Sequence, residues 1–414
     1  MGRKVVSVPP QFAWITALFV VLIVTACTSL GRLPAVPPSD TPKAQPLGIA
    51  NARFLPSQER DAIIAEGERA LERQRKALGL APGTPLPPAH FLAISGGGDD
   101  GAFGSGLLVG WTEAGDRPEF DIVTGVSTGS LIAPFAFLGP AYDPQLRQVY
   151  TTISPSDVYV SRGILGGIFS DALSDTTPLS NTISRFFDPA MMQAIAREYE
   201  KGRLLLIGTT NLDAEQPVIW NIGAIATSGH PDALELIRKI LRASSAVPGF
   251  FQPVMIDVTL NGQPFQELHV DGGAIAQIFL YPSNITLDRF GIREREAFLI
   301  RNAREGANVT NVRRRTLSVG GRAISAMLRS SGANDLARIY FVTQRDGVDY
   351  NLAFIGSDFT VPHPTANFDQ AYMNALYDYG YQKARGGYPW RKMPPLLMGL
   401  EDEPLTARLS GSGP

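Results

Sequence analysis

The residues of this chain whose types and spacing could do chemistry lie in three short glycine-rich blocks. They are Gly-Gly-Gly at 96–98, Gly-Val-Ser-Thr-Gly at 125–129 and Asp-Gly-Gly at 271–273. Each block follows a short apolar run that is typical of a strand. Successive backbone N–H groups in the first block can cradle an anion, and the second block places Ser127 on a tight strand-to-helix turn. With Asp271 as a base, these groups are suited to nucleophilic attack on an ester carbonyl.

Each block also has a structural interpretation when it is taken alone. A Gly-x-Ser-x-Gly pattern arises easily by chance in a chain with 41 glycines, and it then marks an ordinary strand–helix turn. The first block is compatible with a close-packed turn or a phosphate-binding loop. However, no Lys-Ser or Lys-Thr follows it, and Asp99 and Asp100 would repel phosphate. Asp271 alone is most simply a turn aspartate. The combination of all three blocks, each after a strand, favours the catalytic interpretation.

Histidine offers an alternative base. Of the four histidines, only His363 follows Asp271, as the order serine, acid, histidine of nucleophile-elbow triads requires. It lies between Pro362 and Pro364, so it is a candidate loop residue of such a triad with Ser127. A metal site is not predicted, because the chain has one cysteine and no paired histidines at metal-ligand spacing.

The first 26 residues have the pattern of a secretory signal. Arg3 and Lys4 precede an apolar run over residues 12–26, which is shorter than the about 20 residues needed to span a bilayer. Cys27 follows directly, and this arrangement resembles the lipobox of bacterial lipoproteins, in which the cysteine carries the lipid. We therefore expect a lipid-anchored protein of the bacterial cell envelope, on the periplasmic face of the outer membrane. The alternatives are a plain signal peptide with an unrelated cysteine, or an uncleaved membrane anchor.

The rest of the chain is predicted to be one domain with short flanking segments. At 414 residues and 44% hydrophobic, it can bury a large core, and its net charge of −2 argues against a nucleic-acid partner. The proline-rich residues 27–56 are typical of an extended tether, and residues 391–414 of a flexible tail. Residues 57–390 are predicted to form the catalytic domain.

Strands and helices alternate along this domain. The alternation predicts an α/β fold with a mainly parallel central sheet and helices on both faces. Asp346-Gly347 lies between apolar runs at 339–342 and 350–354, and this arrangement predicts a β-hairpin.

Together, the three blocks resemble the patatin-like phospholipase family, which has a glycine-rich oxyanion loop, a Gly-x-Ser-x-Gly nucleophile and an Asp-Gly-Gly or Asp-Gly-Ala block. Residues 208–213 (Gly-Thr-Thr-Asn-Leu-Asp) and 243–254 (Ala-Ser-Ser-Ala-Val-Pro-Gly-Phe-Phe-Gln-Pro-Val) are also similar to it. The resemblance is strong over residues 90–280 and looser to residue 385. It implies a three-layer sandwich and a Ser-Asp dyad that works without histidine.

For this chain the resemblance implies a role for each candidate residue. Ser127 would be the nucleophile and Asp271 its base, and neither a metal nor another cofactor would be needed. The oxyanion would be bound by the backbone N–H groups of Gly96, Gly97, Gly98 and Thr128. The family's loop usually carries Arg or Lys where this chain has Asp100, a change that alters the local field.

The expected activity is hydrolysis of acyl esters of lipids, commonly phospholipids, by a serine ester hydrolase held at the membrane through Cys27. The apolar residues 164–169 are a candidate rim for entry of an acyl chain, and they fit an ordinary buried loop equally well. Two alternatives remain open: an esterase that uses His363 as its base, and a catalytically silent membrane-surface lipoprotein, which Asp100 favours.

Overall fold

The computed structural model describes residues 31–81, 83–161, 172, 174–304, 312 and 314–398. Cys27 and the candidate rim at residues 164–169 lie outside the described residues. No helix in these ranges combines the length and the apolar character needed to cross a membrane.

Strands and helices alternate over most of the described chain. The strands are β1 (Arg53–Phe54), β2 (Ala89–Ile94), β3 (Ile122–Val126), β4 (Val160–Ser161), β5 (Ser174–Asp175), β6 (Leu204–Asn211), β7 (Gln216–Asn221), β8 (Val254–Leu260), β9 (Gln263–Asp271), β10 (Arg295–Arg304) and β11 (Asp349–Ile355). The helices are α1 (Arg60–Ala77), α2 (Gly101–Ala114), α3 (Thr128–Leu138), α4 (Asp143–Thr152), α5 (Pro155–Val158), α6 (Thr177–Phe186), α7 (Pro189–Glu200), α8 (Ile222–Ala226), α9 (Ala233–Ser244), α10 (Thr316–Arg345) and α11 (Gln370–Arg385).

The centre of the main sheet consists of parallel strands in the order β6-β3-β2-β10-β11. Beyond β6, β7 and β1 extend the sheet in antiparallel fashion, while β9 joins β6 and pairs with β8. The carboxyl ends of the parallel strands lie at one edge of the sheet, so the loops that follow β2, β3 and β10 converge there.

Helices cover both faces of this sheet. In β2, Leu92 and Ile94 pack into a core with α2, α3 and α9, while Phe91 and Ala93 face the opposite core with α10. Because successive strand residues point to opposite faces, burial of both sets requires a layer on each side. This three-layer α/β sandwich confirms the predicted fold class.

The hairpin predicted around Gly347 is wrong. Residues 339–342 belong to α10, and β11 pairs in parallel with β10 instead of with a preceding strand. Leu336 is fully buried and Ile339 is 5% exposed, whereas Phe341 is 60% exposed, as expected for one buried face of a helix. Gly347 has φ +63° and lies just after the helix end, where a left-handed residue is favoured.

The described part of residues 27–56 packs against the domain, in contrast to the extended tether that the sequence predicts. Val36 and Leu55 are buried in the structure. The Arg53 guanidinium donates to the Glu267 carboxylate of β9, and both side chains are buried. An ion pair removed from water is stable only when both charges are matched, so this pair holds the segment in a defined place.

The start of the predicted tail, residues 391–414, is also part of the fold. The backbone N–H of Leu352 in β11 donates to the carbonyl of Arg391 at 2.8 Å, and the N–H of Arg391 donates back at 3.0 Å. These two bonds place Arg391 beside β11, so the folded part extends past the boundary that the sequence predicts.

Candidate active site

Ser127 and Asp271 are brought together by the two strands that end beside them. Val126, the last residue of β3, pairs with Gly208 of β6, and Asp271, the last residue of β9, pairs with Thr209 of the same strand. Because β3 is parallel and β9 antiparallel to β6, the two strands approach from opposite directions and their carboxyl ends meet.

Ser127 occupies the sharp turn between β3 and α3. Its φ is +55° and its ψ is −128°, a combination that a residue with a Cβ rarely adopts. A Cβ on Gly125 would lie 2.5 Å from the carbonyl oxygen of Gly129, and a Cβ on Gly129 would lie 2.3 Å from that of Ile94. Both glycines of the Gly-x-Ser-x-Gly block are therefore required by close backbone contacts, and the turn has the strand–turn–helix context that the sequence predicts.

The Asp271 carboxylate is buried close to the Ser127 side chain. Its Oδ1 accepts a hydrogen bond from the backbone N–H of Gly273 at 2.7 Å. Burial raises the pKa of Asp271 to about 6, although the neighbouring Ser127 hydroxyl and the N–H of Gly273 act to lower it. Such a carboxylate is ionised at neutral pH and more basic than an exposed aspartate, as a general base requires.

The glycine-rich loop after β2 presents two backbone donors to this site, not three. The N–H of Gly96 donates to the carbonyl of Gln277 at 3.0 Å, so it is engaged, in contrast to its predicted oxyanion role. A Cβ on Gly97 would lie 2.1 Å from the carbonyl oxygen of Asn302, which shows how closely the loop lies against β10. Among the described residues, the N–H groups of Gly97 and Gly98 have no acceptor.

Thr128 adds a third donor because it is the first residue of α3. Its N–H has no acceptor within the described part of the chain, and the helix N-terminus favours negative charge. The Thr128 side chain is held by Tyr150, with 2.6 Å between the two hydroxyl oxygens. The N–H of Ser127 donates instead to the hydroxyl of Ser244 at 3.0 Å, and that hydroxyl donates to the carbonyl of Gly208 at 2.7 Å. These bonds connect the turn to α9 and β6.

Asp100 is half-buried and has a separate set of polar neighbours. Its carboxylate accepts a hydrogen bond from the Tyr372 hydroxyl at 2.6 Å. Burial raises the pKa of Asp100 to about 6, the neighbouring Asp99 raises it further, and Tyr372, His363 and Arg304 oppose the shift. Tyr372, His363 and Arg304 therefore stabilise the ionised form of Asp100.

His363 is hydrogen-bonded to Asp99. Its Nε2 lies 3.1 Å from Oδ1 of Asp99, and its Nδ1 lies 2.8 Å from the carbonyl oxygen of Pro364. Both nitrogens donate when the ring is protonated, and the bond to Asp99 raises the pKa of His363 to about 9. Since both partners are acceptors other than Ser127 and Asp271, the structure does not assemble the triad alternative.

The same residues are the one group of metal-ligating type that comes close together among the described residues. Ligand atoms of Asp99, Asp100 and His363 lie within 4.8 Å of one another. Each of the three already has a hydrogen-bond partner in the protein, so this group is explained without an ion.

Two depressions meet at Ser127. The first, called here the apolar pocket, is a narrow depression with a volume of about 100 Å³. Its walls are mainly aliphatic and aromatic side chains of α3, α4 and α6, among them Leu131, Phe135, Val149, Leu179 and Ile183. The second, called the polar pocket, contains Asp271 and the glycine-rich loop and is bordered by arginines of β10 and α10. An ester bond at Ser127 would therefore lie between an apolar and a charged environment.

Three polar residues of the site escape prediction from the sequence. Ser244 orders the Ser127 turn, and it lies in a stretch whose resemblance to the family is visible, although its role is not. The Gln277 side chain donates to the carbonyl of Gly273 at 3.1 Å. The Asn302 side chain accepts from the N–H of Gly104 at 3.1 Å and donates to the carbonyl of Ser95 at 3.0 Å. No motif marks the last two, because their partners come from distant segments.

One family model matches part of the chain. Residues 92–282 match the model of the family described as patatin-like phospholipase. The matched segment contains all three glycine-rich blocks, and therefore both Ser127 and Asp271. No curated protein matches the chain significantly in sequence.

Three solved structures are also similar to the chain. VipD from Legionella pneumophila has a TM-score of 0.37 at 12% identity, over 76% of this chain and 73% of VipD. Human GIVD cytosolic phospholipase A2 has a TM-score of 0.28 at 10% identity, over 62% of this chain and 49% of that protein. The type III effector protein ExoU has a TM-score of 0.23 at 14% identity, over 73% of this chain and 54% of ExoU. The matches thus span only about half of the last two proteins.

Proposed function

Because residues 92–282 form a patatin-like phospholipase domain, we propose that the protein is a lipid acyl hydrolase that works through a Ser127–Asp271 dyad. One observation carries this proposal. The Ser127 hydroxyl lies close enough to the buried Asp271 carboxylate to lower its pKa, beside backbone donors that have no acceptor in the described chain. A nucleophile, a base of raised pKa and an oxyanion site are the three parts that ester cleavage requires.

In the first half of the reaction, Ser127 Oγ attacks the acyl carbonyl carbon while its proton passes to Asp271. The carbonyl oxygen becomes an oxyanion, which the N–H groups of Gly97, Gly98 and Thr128 stabilise together with the N-terminus of α3. When the tetrahedral intermediate collapses, the ester C–O bond breaks and Asp271 returns the proton to the leaving alcohol. The product of this half is an acyl-enzyme on Ser127.

In the second half, Asp271 accepts a proton from a water molecule, whose oxygen attacks the acyl carbonyl carbon. The same backbone donors bind the second oxyanion. Breakage of the bond to Ser127 Oγ, with return of the proton to that oxygen, releases the fatty acid and restores the enzyme. One carboxylate thus acts as base and acid in both halves, as a pKa of about 6 permits.

The apolar pocket supports an acyl ester of a lipid as the substrate. Its aliphatic and aromatic walls reach Ser127 itself, so a hydrocarbon chain in this pocket would bring its carboxyl carbon to the nucleophile. Burial of the chain supplies binding energy in proportion to its length, which favours long-chain lipids over short esters.

The two alternatives have less support. An esterase with His363 as base requires a ring nitrogen near Ser127, and both nitrogens have other partners. A catalytically silent lipoprotein is favoured by Asp100 only if its carboxylate stands without a partner beside the backbone donors. In the structure this carboxylate accepts a hydrogen bond from the Tyr372 hydroxyl.

A fluorophosphonate probe tests the dyad directly. The full-length protein should be labelled, Ser127→Ala should not be, and Ser325→Ala should be labelled as the wild type is. Ser325 is the matched control because it is an exposed serine that borders the polar pocket. Failure to label the wild type, or equal labelling of Ser127→Ala, would falsify the hydrolase proposal.

We also propose that a lipid on Cys27 holds the protein at the periplasmic face of the outer membrane. The support is the apolar run that ends directly before the only cysteine of the chain. Metabolic incorporation of an alkyne-tagged fatty acid should label the wild type and not Cys27→Ala. Labelling of Cys27→Ala would overturn the assignment of the anchor to this residue.

A further inference from the structure

Asp99 is a buried carboxylate that the proposed chemistry does not use. It follows Gly98, one of the backbone donors, and is 5% exposed. Its Oδ1 lies 3.1 Å from Nε2 of His363, and its Oδ2 accepts from the backbone N–H of Phe368 at 2.9 Å. Both partners belong to the connection between β11 and α11, which lies outside residues 92–282. Asp99 therefore joins the loop of backbone donors to a segment that the family model does not match.

The loop itself is fixed by close packing on one side only. A Cβ on Gly97 would lie 2.1 Å from the carbonyl oxygen of Asn302, so Gly97 is pressed against β10. Gly98 has a φ of +61°, and no described atom beyond its chain neighbours lies within 4 Å of the place that its Cβ would take. Packing at Gly98 therefore does not hold its peptide group in place. The two bonds of the next residue, Asp99, supply that restraint.

Phe368 is held in a conformation that a bulky side chain rarely adopts. Its φ is +62°, in the left-handed region. Such a residue persists only where its surroundings hold it, and the bond from its N–H to Asp99 is one contact that does so. Its ring borders the apolar pocket and lies 6.4 Å from the ring of Tyr159, measured between centroids.

The segment that Asp99 binds passes between the two pockets. His363 and Asn367 border the polar pocket, and Phe368 borders the apolar pocket. Gly98 borders both pockets, so it lies where this segment passes the loop. A displacement of the segment would therefore be transmitted through Asp99 to the N–H groups beside Ser127.

We propose that Asp99 is a positioning residue for ester hydrolysis, which directs the N–H groups of Gly97 and Gly98 to the oxyanion by binding residues 363–368. The inference rests on the proposed function, because these donors matter only if an oxyanion forms beside them. Asp99 acts through the backbone and does not touch the substrate. Donors that are aimed at the oxyanion stabilise the transition state more than the bound ester, so loss of their orientation lowers kcat.

The variant Asp99→Ala tests this role in the full-length protein with p-nitrophenyl butyrate, a soluble ester. We expect kcat to fall by roughly 10- to 100-fold with KM within about twofold of the wild type, a smaller loss than the about 10²- to 10³-fold for complete removal of one oxyanion donor. The rate of labelling by a fluorophosphonate should fall in parallel, because its phosphoryl oxygen occupies the same site.

The pH profile separates misplaced donors from general damage to the site. Asp271 remains the base in Asp99→Ala, and its pKa of about 6 sets the acid limb of kcat/KM. The whole profile should therefore be lowered without a shift of that limb. A shifted or missing limb would show that the variant disturbs the dyad, and it would overturn the assignment of Asp99 to the oxyanion donors.

The conservative variant Asp99→Asn should rescue most of the activity. Its amide oxygen can still accept from the N–H of Phe368, so we expect kcat within about threefold of the wild type. Equal losses in Asp99→Asn and Asp99→Ala would assign the effect to the charge of Asp99 and overturn the proposal. Asp358→Ala is the matched control and should keep the wild-type kcat. It removes an exposed carboxylate of the same connection, which is bound by Tyr379 and Lys383 and borders neither pocket.

Thermal melting of each variant shows whether it is folded at the assay temperature. If Asp99→Ala is not, Asp99→Ala/His363→Ala takes its place, because it leaves no histidine without its partner. Hydrolysis by the wild type separates the two proposals. If the wild type cleaves no ester, the proposed function fails, and the role of Asp99 fails with it. If the wild type and the folded alanine variant have the same kcat, only the role of Asp99 is overturned.

Discussion

Replacement of Asp271 by asparagine should remove activity and at the same time increase stability. The carboxylate is 4% exposed, and its pKa is raised from 3.8 to about 6 by burial. Each unit of pKa corresponds to about 1.4 kcal/mol, so keeping this group ionised at pH 7.5 costs the folded state about 3 kcal/mol. Asparagine has nearly the same shape and can still accept from the N–H of Gly273, but it carries no charge.

The effect on stability has a defined pH dependence. A raised pKa means that the folded protein holds the proton more tightly than the unfolded chain, so this residue's contribution to stability is complete below about pH 3.8 and is lost as the pH rises through about 6. We therefore expect the free energy of unfolding of Asp271→Asn to match the wild type at about pH 4. It should exceed the wild type by about 3 kcal/mol above about pH 7.

Activity should change in the opposite direction. Loss of a general base lowers turnover by roughly 10²- to 10⁴-fold. In the wild type, kcat/KM for a neutral soluble ester should fall about tenfold for each pH unit below about 6, because Asp271 must be ionised to accept the proton. Asp100 has a pKa in the same range, so Asp100→Asn is needed as a control and should keep this acid limb.

Urea unfolding followed by tryptophan fluorescence at several pH values gives the stability difference, and ester hydrolysis on the same samples gives the rate. Asp257→Asn is the stability control, because this aspartate is exposed on β8. If Asp271→Asn were less stable than the wild type by the same amount at all pH values, ionisation of Asp271 would not cost the folded state free energy. If the variant stayed active, or if the acid limb disappeared in Asp100→Asn, Asp271 would not be the base.

Three further predictions concern the turn, the loop and the histidine. Ser127→Gly should be more stable than Ser127→Ala by about 1 kcal/mol, because glycine relieves the positive φ and both variants lack the hydroxyl; equal thermal stability would show that the turn is not strained. Gly97→Ala should cost about 3 kcal/mol, because its Cβ would lie 2.1 Å from a backbone oxygen of β10. Gly98→Ala, in open space at φ +61°, should cost only about 1 kcal/mol in the same melting experiment. His363→Ala should keep turnover within about threefold of the wild type, and a loss of several orders of magnitude would restore the triad alternative. Its pKa is raised to about 9 by Asp99, so the variant should lose about 1 to 2 kcal/mol of stability below about pH 6.5, after allowance for solvent screening, and nothing above about pH 9.

Local patterns were a good guide to the core of the domain and a poor guide to its ends. The apolar runs before the three blocks are β2, β3 and β9, because glycine and strand propensities act over a few residues. The run at 339–342 was misjudged as a strand, since four apolar residues do not distinguish a strand from the buried face of a helix. The interpretation of residues 27–56 as a tether is wrong because the partner of Arg53, Glu267, lies far away in the sequence.

The candidate site could be predicted in its parts but not in its working detail. The sequence predicts that the N–H of Gly96 binds the oxyanion, but in the structure this N–H donates to the carbonyl of Gln277. From Asp100 the sequence predicts an altered charge in the loop, but it does not predict that arginines of β10 and α10 border the polar pocket. Hydrogen-bond partners and through-space charges depend on contacts between distant segments, and no short pattern records them.

By itself the sequence determined the residue types that chemistry at Ser127 needs and the strand-to-turn context of each, because those depend on short-range backbone sterics. Only the tertiary structure decided that β3 and β9 end against adjacent residues of β6 and so join Ser127 to Asp271. It alone decided the raised pKa of Asp271, since removal from water is a property of all the segments packed around that carboxylate.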